Sequence, residues 1–250
     1  MEGEDKVVFD QNYWEWADLS AHLDRLSAQL DNRVRGRQLY AVDWVEGETV
    51  LDVGCEVGIC SYYLARNGKK VVGIDVEKAR LEIAERKFSH PNLKFLPADG
   101  VDLNFPDESF DCVLLLEVLE HTFHPRGLIR EIHRVLKPGG HLIISVPNAS
   151  SYHTVVRSLL LPIKSYFAKM ESWPDFATDQ RDHYYYWDAF TLYRLLNRQG
   201  FKYTDHCYVD NSRLVNLLGG IIPPLKKIST CFMIKVQKQS GSASEVHPAG

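Results

Sequence analysis

From Thr49 to Val146 the chain alternates short apolar runs with amphipathic stretches, and this alternation limits what it can fold into. The runs Thr49–Val53, Lys70–Asp75, Leu93–Leu96, Phe110–Leu116 and His141–Val146 read as strands buried on both faces, which lack the polar alternation of a half-exposed strand. Between them, residues 59–67, 77–88 and 125–137 read as helices. In the last of these Leu128, Ile129, Ile132, Val135 and Leu136 share one face, with Pro125 near its start and Gly139-Gly140 just past its end. Strand, helix, strand in repetition predicts a parallel sheet with helices on both faces. The alternation pauses after Asn148. It resumes with a helix through Leu192, Leu195 and Leu196, closed by Gly200, and with strands over Phe201–Val209 and Ser229–Val236. The expected fold class is α/β, a doubly wound, mostly parallel sheet.

Three kinds of segment flank or interrupt that core. Residues 1–48 read as a helical lead-in or lid, with Leu19, Leu23, Leu26 and Leu30 at helical spacing and a short helix through Leu39, Val42 and Val45. The core domain is expected over 49–238, with cap insertions at about 149–187 and 211–227. The tail, 239–250, is rich in Ser, Gly, Ala and Pro and reads as disordered.

Lys plus Arg number 29 and Asp plus Glu 33, a formal charge of −4. This balance argues against a general electrostatic grip on nucleic acid or an anionic membrane. The five cysteines are scattered with no C-x-x-C pair, which points away from a zinc knuckle or a disulfide framework and towards a reducing compartment. The charged start, Met1-Glu-Gly-Glu-Asp-Lys6, does not read as a secretory leader, and no apolar run is long enough to span a bilayer. A soluble, cytoplasmic protein is expected, monomeric or homodimeric, with a small-molecule partner.

The chemistry is concentrated at the ends of the strands. Val50-Leu-Asp-Val-Gly-Cys-Glu-Val-Gly58 is a strand that ends in a glycine turn and feeds a helix, the form of a small-molecule cradle. Asp75 closes the second strand, Asp99-Gly100 follows the third and Glu117 closes the fourth. In an open parallel sheet these positions converge beyond the carboxyl ends of the strands. A dinucleotide site needs a bare glycine where the pyrophosphate approaches. Here that position is Glu56, and Asp52 stands two residues before Gly54. Carboxylates repel a pyrophosphate but suit an ammonium and a sulfonium. S-adenosylmethionine carries both and no phosphate, and Asp75 is placed to accept from its ribose hydroxyls.

These segments, with Leu96-Pro-Ala-Asp-Gly100, Phe105-Pro-Asp-Glu-Ser-Phe-Asp-Cys-Val113, Glu117-Val-Leu-Glu-His121 and Arg134-Val-Leu-Lys-Pro-Gly-Gly140, resemble the motif series of class I S-adenosylmethionine-dependent methyltransferases. They come in the family's order over about residues 49–148. The resemblance implies a Rossmann-like, seven-stranded sheet whose last strand is antiparallel. It implies that Asp52 and the loop of Gly54, Cys55, Glu56 and Gly58 hold the methionine part of the cofactor. Asp75 would bind the ribose, Val76 would pack on the adenine, and Asp99 with Gly100 would meet the adenine edge. Glu117 would lie beside the ammonium or the sulfonium. The chain departs from the family at Glu56, where the middle glycine is expected.

Methyl transfer to a hydroxyl needs donor and acceptor in line and a group to take the proton. His121, just past the fourth strand, and His183, before the run Tyr184-Tyr-Tyr-Trp187, are the candidate catalytic residues. The alternative for either is a hydrogen-bonded structural histidine. Glu117, Glu120 and His121 form E-x-x-E-H, which with Asp182-His183 looks like the metal-binding pattern of small-RNA 2′-O-methyltransferases and, in part, of ubiquinone-pathway O-methyltransferases. Two carboxylates and two imidazoles could hold a divalent ion that lowers the pKa of a substrate hydroxyl. The same pattern also starts a plain helix in members with no metal, so no residue is assigned as a metal ligand. The expected activity is methylation of a small molecule, at a hydroxyl. The alternatives are methylation of RNA or of a lipid-linked quinone, and a non-catalytic S-adenosylmethionine-binding protein. The aromatic run could line an acceptor pocket or pack the cap onto the sheet.

Overall fold

The computed structural model describes residues 36–160, 183–210 and 220–239, with the side chains of 157–160 left undescribed. The expected lead-in helix around Leu19–Leu30, most of the cap, from 161 to 182, residues 211–219 and the tail from 240 lie outside the described residues.

Among the described residues, seven strands form one sheet in the order β3-β2-β1-β4-β5-β7-β6. In chain order the elements are α1 (Arg37–Asp43), β1 (Thr49–Val53), α2 (Ile59–Arg66), β2 (Lys70–Asp75), α3 (Lys78–Lys87), β3 (Leu93–Pro97) and β4 (Phe110–Leu116). Then come a 3₁₀ turn (Leu119–His121), α4 (Pro125–Val135), β5 (Leu136–Pro147), α5 (Tyr152–Leu160), α6 (Ala189–Arg198), β6 (Phe201–Val209), a second 3₁₀ turn (Pro223–Ile228) and β7 (Cys231–Lys238). Strands β1 to β5 pair in parallel. β7 runs antiparallel to both β5 and β6, as the resemblance implies.

Strand alternation divides the core. Leu51, Val53, Val113, Leu115, Leu142 and Ile144 face α4 and α6, where they bury Leu128, Ile129, Ile132, Leu192 and Leu196. Val50, Val71, Cys112, Leu114 and Ile143 face the other way, onto Ala41 and Val42 of α1 and Cys60, Leu64 and Ala65 of α2. The apolar runs in the sequence are continuous because both faces are covered. α6 is started by Asp188, whose Oδ1 accepts from the N–H groups of Phe190 and Thr191 at 2.9 and 2.7 Å, while Thr191 Oγ1 accepts from the N–H of Asp188.

Several boundaries differ from the sequence reading; β7 covers Cys231–Lys238 in place of Ser229–Val236, and the largest change lies between α4 and β5. α4 ends at Val135, not at 137, and β5 starts at Leu136. Pro138 disfavours helical backbone at Lys137, and Leu136 is already extended at φ −73°, ψ 138°. The Lys137-Pro-Gly-Gly140 segment is accommodated by a register shift against β4 between Phe110 and Cys112. The sheet order reverses between β1 and β4, so a crevice opens beyond their carboxyl ends.

Candidate functional site

The glycine turn after β1 is fixed by the neighbouring strand. The N–H groups of Gly54 and Cys55 both donate to the carbonyl of Ile74, at 2.8 and 2.9 Å. Gly54 has φ 71°, and a Cβ there would lie 2.4 Å from Val118 Cγ2, so the turn can pass under the residue after Glu117 only because the position is bare. Gly58, at φ 79°, caps α2. Cys55 turns its thiol inward, among Leu81, Ala84, Phe88 and Phe95, so it offers the crevice backbone only.

Asp52 is buried, and its Oδ2 accepts from Ser61 Oγ at 2.5 Å. Burial pushes its carboxyl up to about 6; the Ser61 hydrogen bond opposes the shift and the charges of Glu56 and Asp75 add to it. The residue therefore braces β1 against α2 beneath the loop. Asp75 is also buried. Its Oδ2 accepts from the Glu56 N–H at 3.0 Å and its Oδ1 from the Glu77 N–H at 2.9 Å, so one carboxylate shapes both the glycine loop and the start of α3. Beside it Val76 leaves 55% of its surface exposed, an apolar platform next to the acid. Asp99 turns inward on its own loop, where its Oδ1 accepts from the Val101 N–H at 3.1 Å, and Gly100 lies so close to α4 that a Cβ would meet Leu128 Cδ1 at 2.6 Å.

Glu117 follows β4 with φ 57°, a left-handed conformation for a residue that carries a side chain. Ser145 Oγ donates to its Oε1 at 2.8 Å, the Cys231 thiol donates to the same oxygen at 3.6 Å, and Arg37 Nε stands 4.0 Å away. A carboxylate and a guanidinium thus meet just beyond the end of β4. Sequence reasoning missed Arg37, which belongs to no motif, and Ser145, which sits inside an apolar strand.

One turn later lies a second constellation. Glu120 is fully buried, yet neither carboxyl oxygen has a hydrogen-bond partner among the described residues. Burial, with the nearby charge of Glu117, pushes its carboxyl up to about 8. His121 and His183 each place Nε2 4.0 Å from Glu120 Oε1, and their rings meet edge to face with centroids 4.7 Å apart. One ligand atom from each of the three residues can be chosen so that all lie within 4.8 Å of one another. The Tyr184 N–H donates to the Glu120 carbonyl at 2.8 Å, which brings the segment before α6 onto the turn after β4. So the two histidines proposed from sequence are brought together. The acid between them, Glu120, was legible only as part of E-x-x-E-H.

Aromatic groups border this cluster. Phe123 and Tyr184 lie 4.1 Å apart and Tyr185 stacks on Trp187 at 5.6 Å. Trp187 is half-buried against the main core, whereas Tyr184, Tyr185 and Tyr186 remain exposed. The packing reading of this run therefore applies to Trp187. No helix among the described residues is long and apolar enough to cross a membrane, and all five cysteines are free.

Residues 13–206 match a family described as a methyltransferase domain. The chain is 35% identical over 147 residues to a demethylmenaquinone methyltransferase of Clavibacter sepedonicus, a stretch covering 57% of each protein. It is 37% identical over 117 residues to a ubiquinone biosynthesis O-methyltransferase of Pseudomonas paraeruginosa, covering 43% of this chain and 50% of that one. The match thus spans little more than half the length of these relatives. Among solved structures, an S-adenosylmethionine-dependent methyltransferase of Listeria monocytogenes described as putative superposes with TM-score 0.59 at 20% identity, over 81% of this chain and 97% of that one. A putative methyltransferase of Haloferax volcanii, solved with the Trm112 activator, gives TM-score 0.60 at 18% identity, over 82% and 89%. At these identities the two structures support the fold alone.

Proposed function

The chain belongs to the methyltransferase-domain family, and we propose that it transfers a methyl group from S-adenosylmethionine to a hydroxyl of a small, flat acceptor. The donor set of the crevice fits that cofactor. Asp75, with Val76 beside it, suits a ribose and an adenine. Glu117, held by Ser145, suits an ammonium, and Arg37 suits the carboxylate at the same end. When bound, S-adenosylmethionine supplies a methyl group already activated on a sulfonium. The protein must then align the acceptor and take its proton.

The observation that carries the hydroxyl reading is the buried Glu120, which has no hydrogen-bond partner among the described residues and stands beside two imidazoles. His121, with 38% of its side chain exposed, is the imidazole an acceptor can reach, and its role is to take the hydroxyl proton. His183, at 11%, braces it edge-on. Glu120, His121 and His183 also form a ligand set suited to a divalent ion, whose charge would lower the pKa of the acceptor hydroxyl. Phe123 and Tyr184 offer a flat apolar wall beside this group.

A quinol or catechol is the acceptor class this reading favours, since one relative is named as an O-methyltransferase of ubiquinone biosynthesis; the other, named for demethylmenaquinone, supports the quinone ring and not the hydroxyl. The test is transfer from labelled S-adenosylmethionine to a panel of catechols and short-tailed quinols, with and without chelator. Methylated phenol that is lost in His121→Ala is the expected result. A protein that binds S-adenosylhomocysteine but methylates only nitrogen or carbon acceptors would overturn the hydroxyl assignment.

A further inference from the structure

Glu56 holds φ 49°, a left-handed conformation that is strained for a residue with a Cβ and free for glycine. Core packing does not explain its presence, because its side chain is 59% exposed. Its N–H donates to Asp75 Oδ2, a bond that glycine would make equally well. What only this side chain supplies is a carboxylate 3.6 Å from Arg80 Nη1.

Arg80 is largely buried, with 19% of its side chain exposed, and forms a close ion pair with Glu77. The two residues whose carboxylates meet Arg80, Glu56 and Glu77, are the same two whose N–H groups donate to Asp75, which puts the guanidinium next to that acid. Asp75 is the acid that a ribose needs. Each of its oxygens already accepts one backbone N–H, which leaves one lone pair on each for a ribose hydroxyl. A guanidinium fork matches a carboxylate with two parallel hydrogen bonds, so an Arg80 that closed on Asp75 would take both remaining lone pairs.

We infer that Glu56 is a positioning residue for the cofactor: together with Glu77 it holds the Arg80 guanidinium beside Asp75 and off the lone pairs that face the ribose. This explains why a carboxylate is tolerated where the loop geometry favours glycine. The inference rests on the proposed reading of the crevice as the S-adenosylmethionine site.

The test is a double-mutant cycle in cofactor binding. S-adenosylhomocysteine is titrated by calorimetry at low salt into the native protein, Glu56→Gln, Arg80→Met and the double variant, with the melting temperature of each recorded. Glu56→Gln is expected to weaken binding about tenfold, a loss of one charge-assisted constraint, with an unchanged melting temperature. In the Arg80→Met background the same substitution is expected to change binding by less than about twofold, because no guanidinium remains to be held. Should Arg80→Met fail to fold, Arg80→Gln completes the cycle. Native-like binding by Glu56→Gln, or a loss that persists without Arg80, would overturn the inference while leaving the cofactor site intact. A native protein that binds no S-adenosylhomocysteine would overturn the cofactor reading and the inference with it.

Discussion

His183, which precedes α6, brings its Nε2 to 4.0 Å from Oε1 of Glu120, which follows β4. The contact is anchored on the backbone as well, since the Tyr184 N–H donates to the Glu120 carbonyl. The price of this arrangement is a carboxyl group shut away from water with no hydrogen-bond partner among the described residues. Its consequences are measurable without any substrate.

The first concerns pH. The Glu120 carboxyl is raised to about 8 by burial and by Glu117, above its unfolded value near 4.5. Between those limits the native state binds one proton more than the unfolded state, so stability falls as pH rises through this window. Below it and above it the two states bind equally and the slope disappears. Scanning calorimetry from pH 5 to 9 should show the melting temperature of the native protein falling more steeply than that of Glu120→Gln, which cannot ionise. Parallel curves for the two proteins would mean that Glu120 is ionised throughout.

The second concerns metal. A cation held by Glu120, His121 and His183 must displace the Glu120 proton, so binding is linked to pH. Zn2+ titrated by calorimetry should bind more tightly as pH rises from 6 to 8, with protons released on binding as the Glu120 carboxyl and the imidazoles become free to ligate. Glu120→Gln and His183→Ala should each weaken binding by tenfold or more. Affinity that is flat with pH, or unaltered by either substitution, would place the cation elsewhere.

Much of this site was legible because strand ends carry their chemistry in one residue. Asp75, Glu117 and the Gly54–Gly58 loop each terminate an apolar run, and topology alone brings such ends together. Residues that act through other residues leave no such mark. Ser61 looks like any small helix residue until its hydroxyl is found on Asp52. Arg37 precedes every motif, and its approach to Glu117 depends on how α1 packs against the sheet. Sequence could place His121 at a strand end and His183 in a cap, but their edge-to-face contact follows from a backbone hydrogen bond between Tyr184 and Glu120 that has no sequence signature. α4 ends at Val135, short of the twin glycines that close it in the sequence, because Pro138 disfavours helical backbone at the residue before it.

Two glycines with similar backbone allow a third prediction. Gly54 and Gly68 have φ 71° and 86°. A Cβ on Gly54 would lie 2.4 Å from Val118 Cγ2, whereas around Gly68 nothing stands within 4 Å. Gly68→Ala should lower stability by about 1 kcal/mol, the conformational cost alone. Gly54→Ala should cost about 2–4 kcal/mol, because Val118 has to move as well. It should also weaken S-adenosylhomocysteine binding, since Val118 directly follows Glu117. Equal losses in denaturant unfolding would show that Val118 yields freely.

The last prediction concerns the opposite end of the strands, where Asp111 ties three of them together. Its Oδ2 accepts from the N–H groups of Glu48 and Thr49 at 2.9 and 2.8 Å and from Thr49 Oγ1 at 2.8 Å, while Lys137 Nζ donates to Oδ1 at 2.7 Å. Burial tends to raise this carboxyl, but the hydrogen bonds from Lys137, Thr49 and Glu48 outweigh it and hold the group well below the usual carboxylate range. A depressed folded value contributes stability above the unfolded pKa, and that contribution is lost as pH falls from about 4 downwards. Asp111→Asn should therefore lower stability at pH 7 by about 1–3 kcal/mol, or roughly 2–10 °C in melting temperature for a chain of this size. The difference between native and variant should shrink steadily below pH 4. Cofactor affinity at pH 7 should be unchanged at temperatures where both proteins are folded, because the network lies at the far end of the sheet from Asp75 and Glu117. A gap in stability that stays constant down to pH 2 would show that the Asp111 side chain acts through shape and not through its charge.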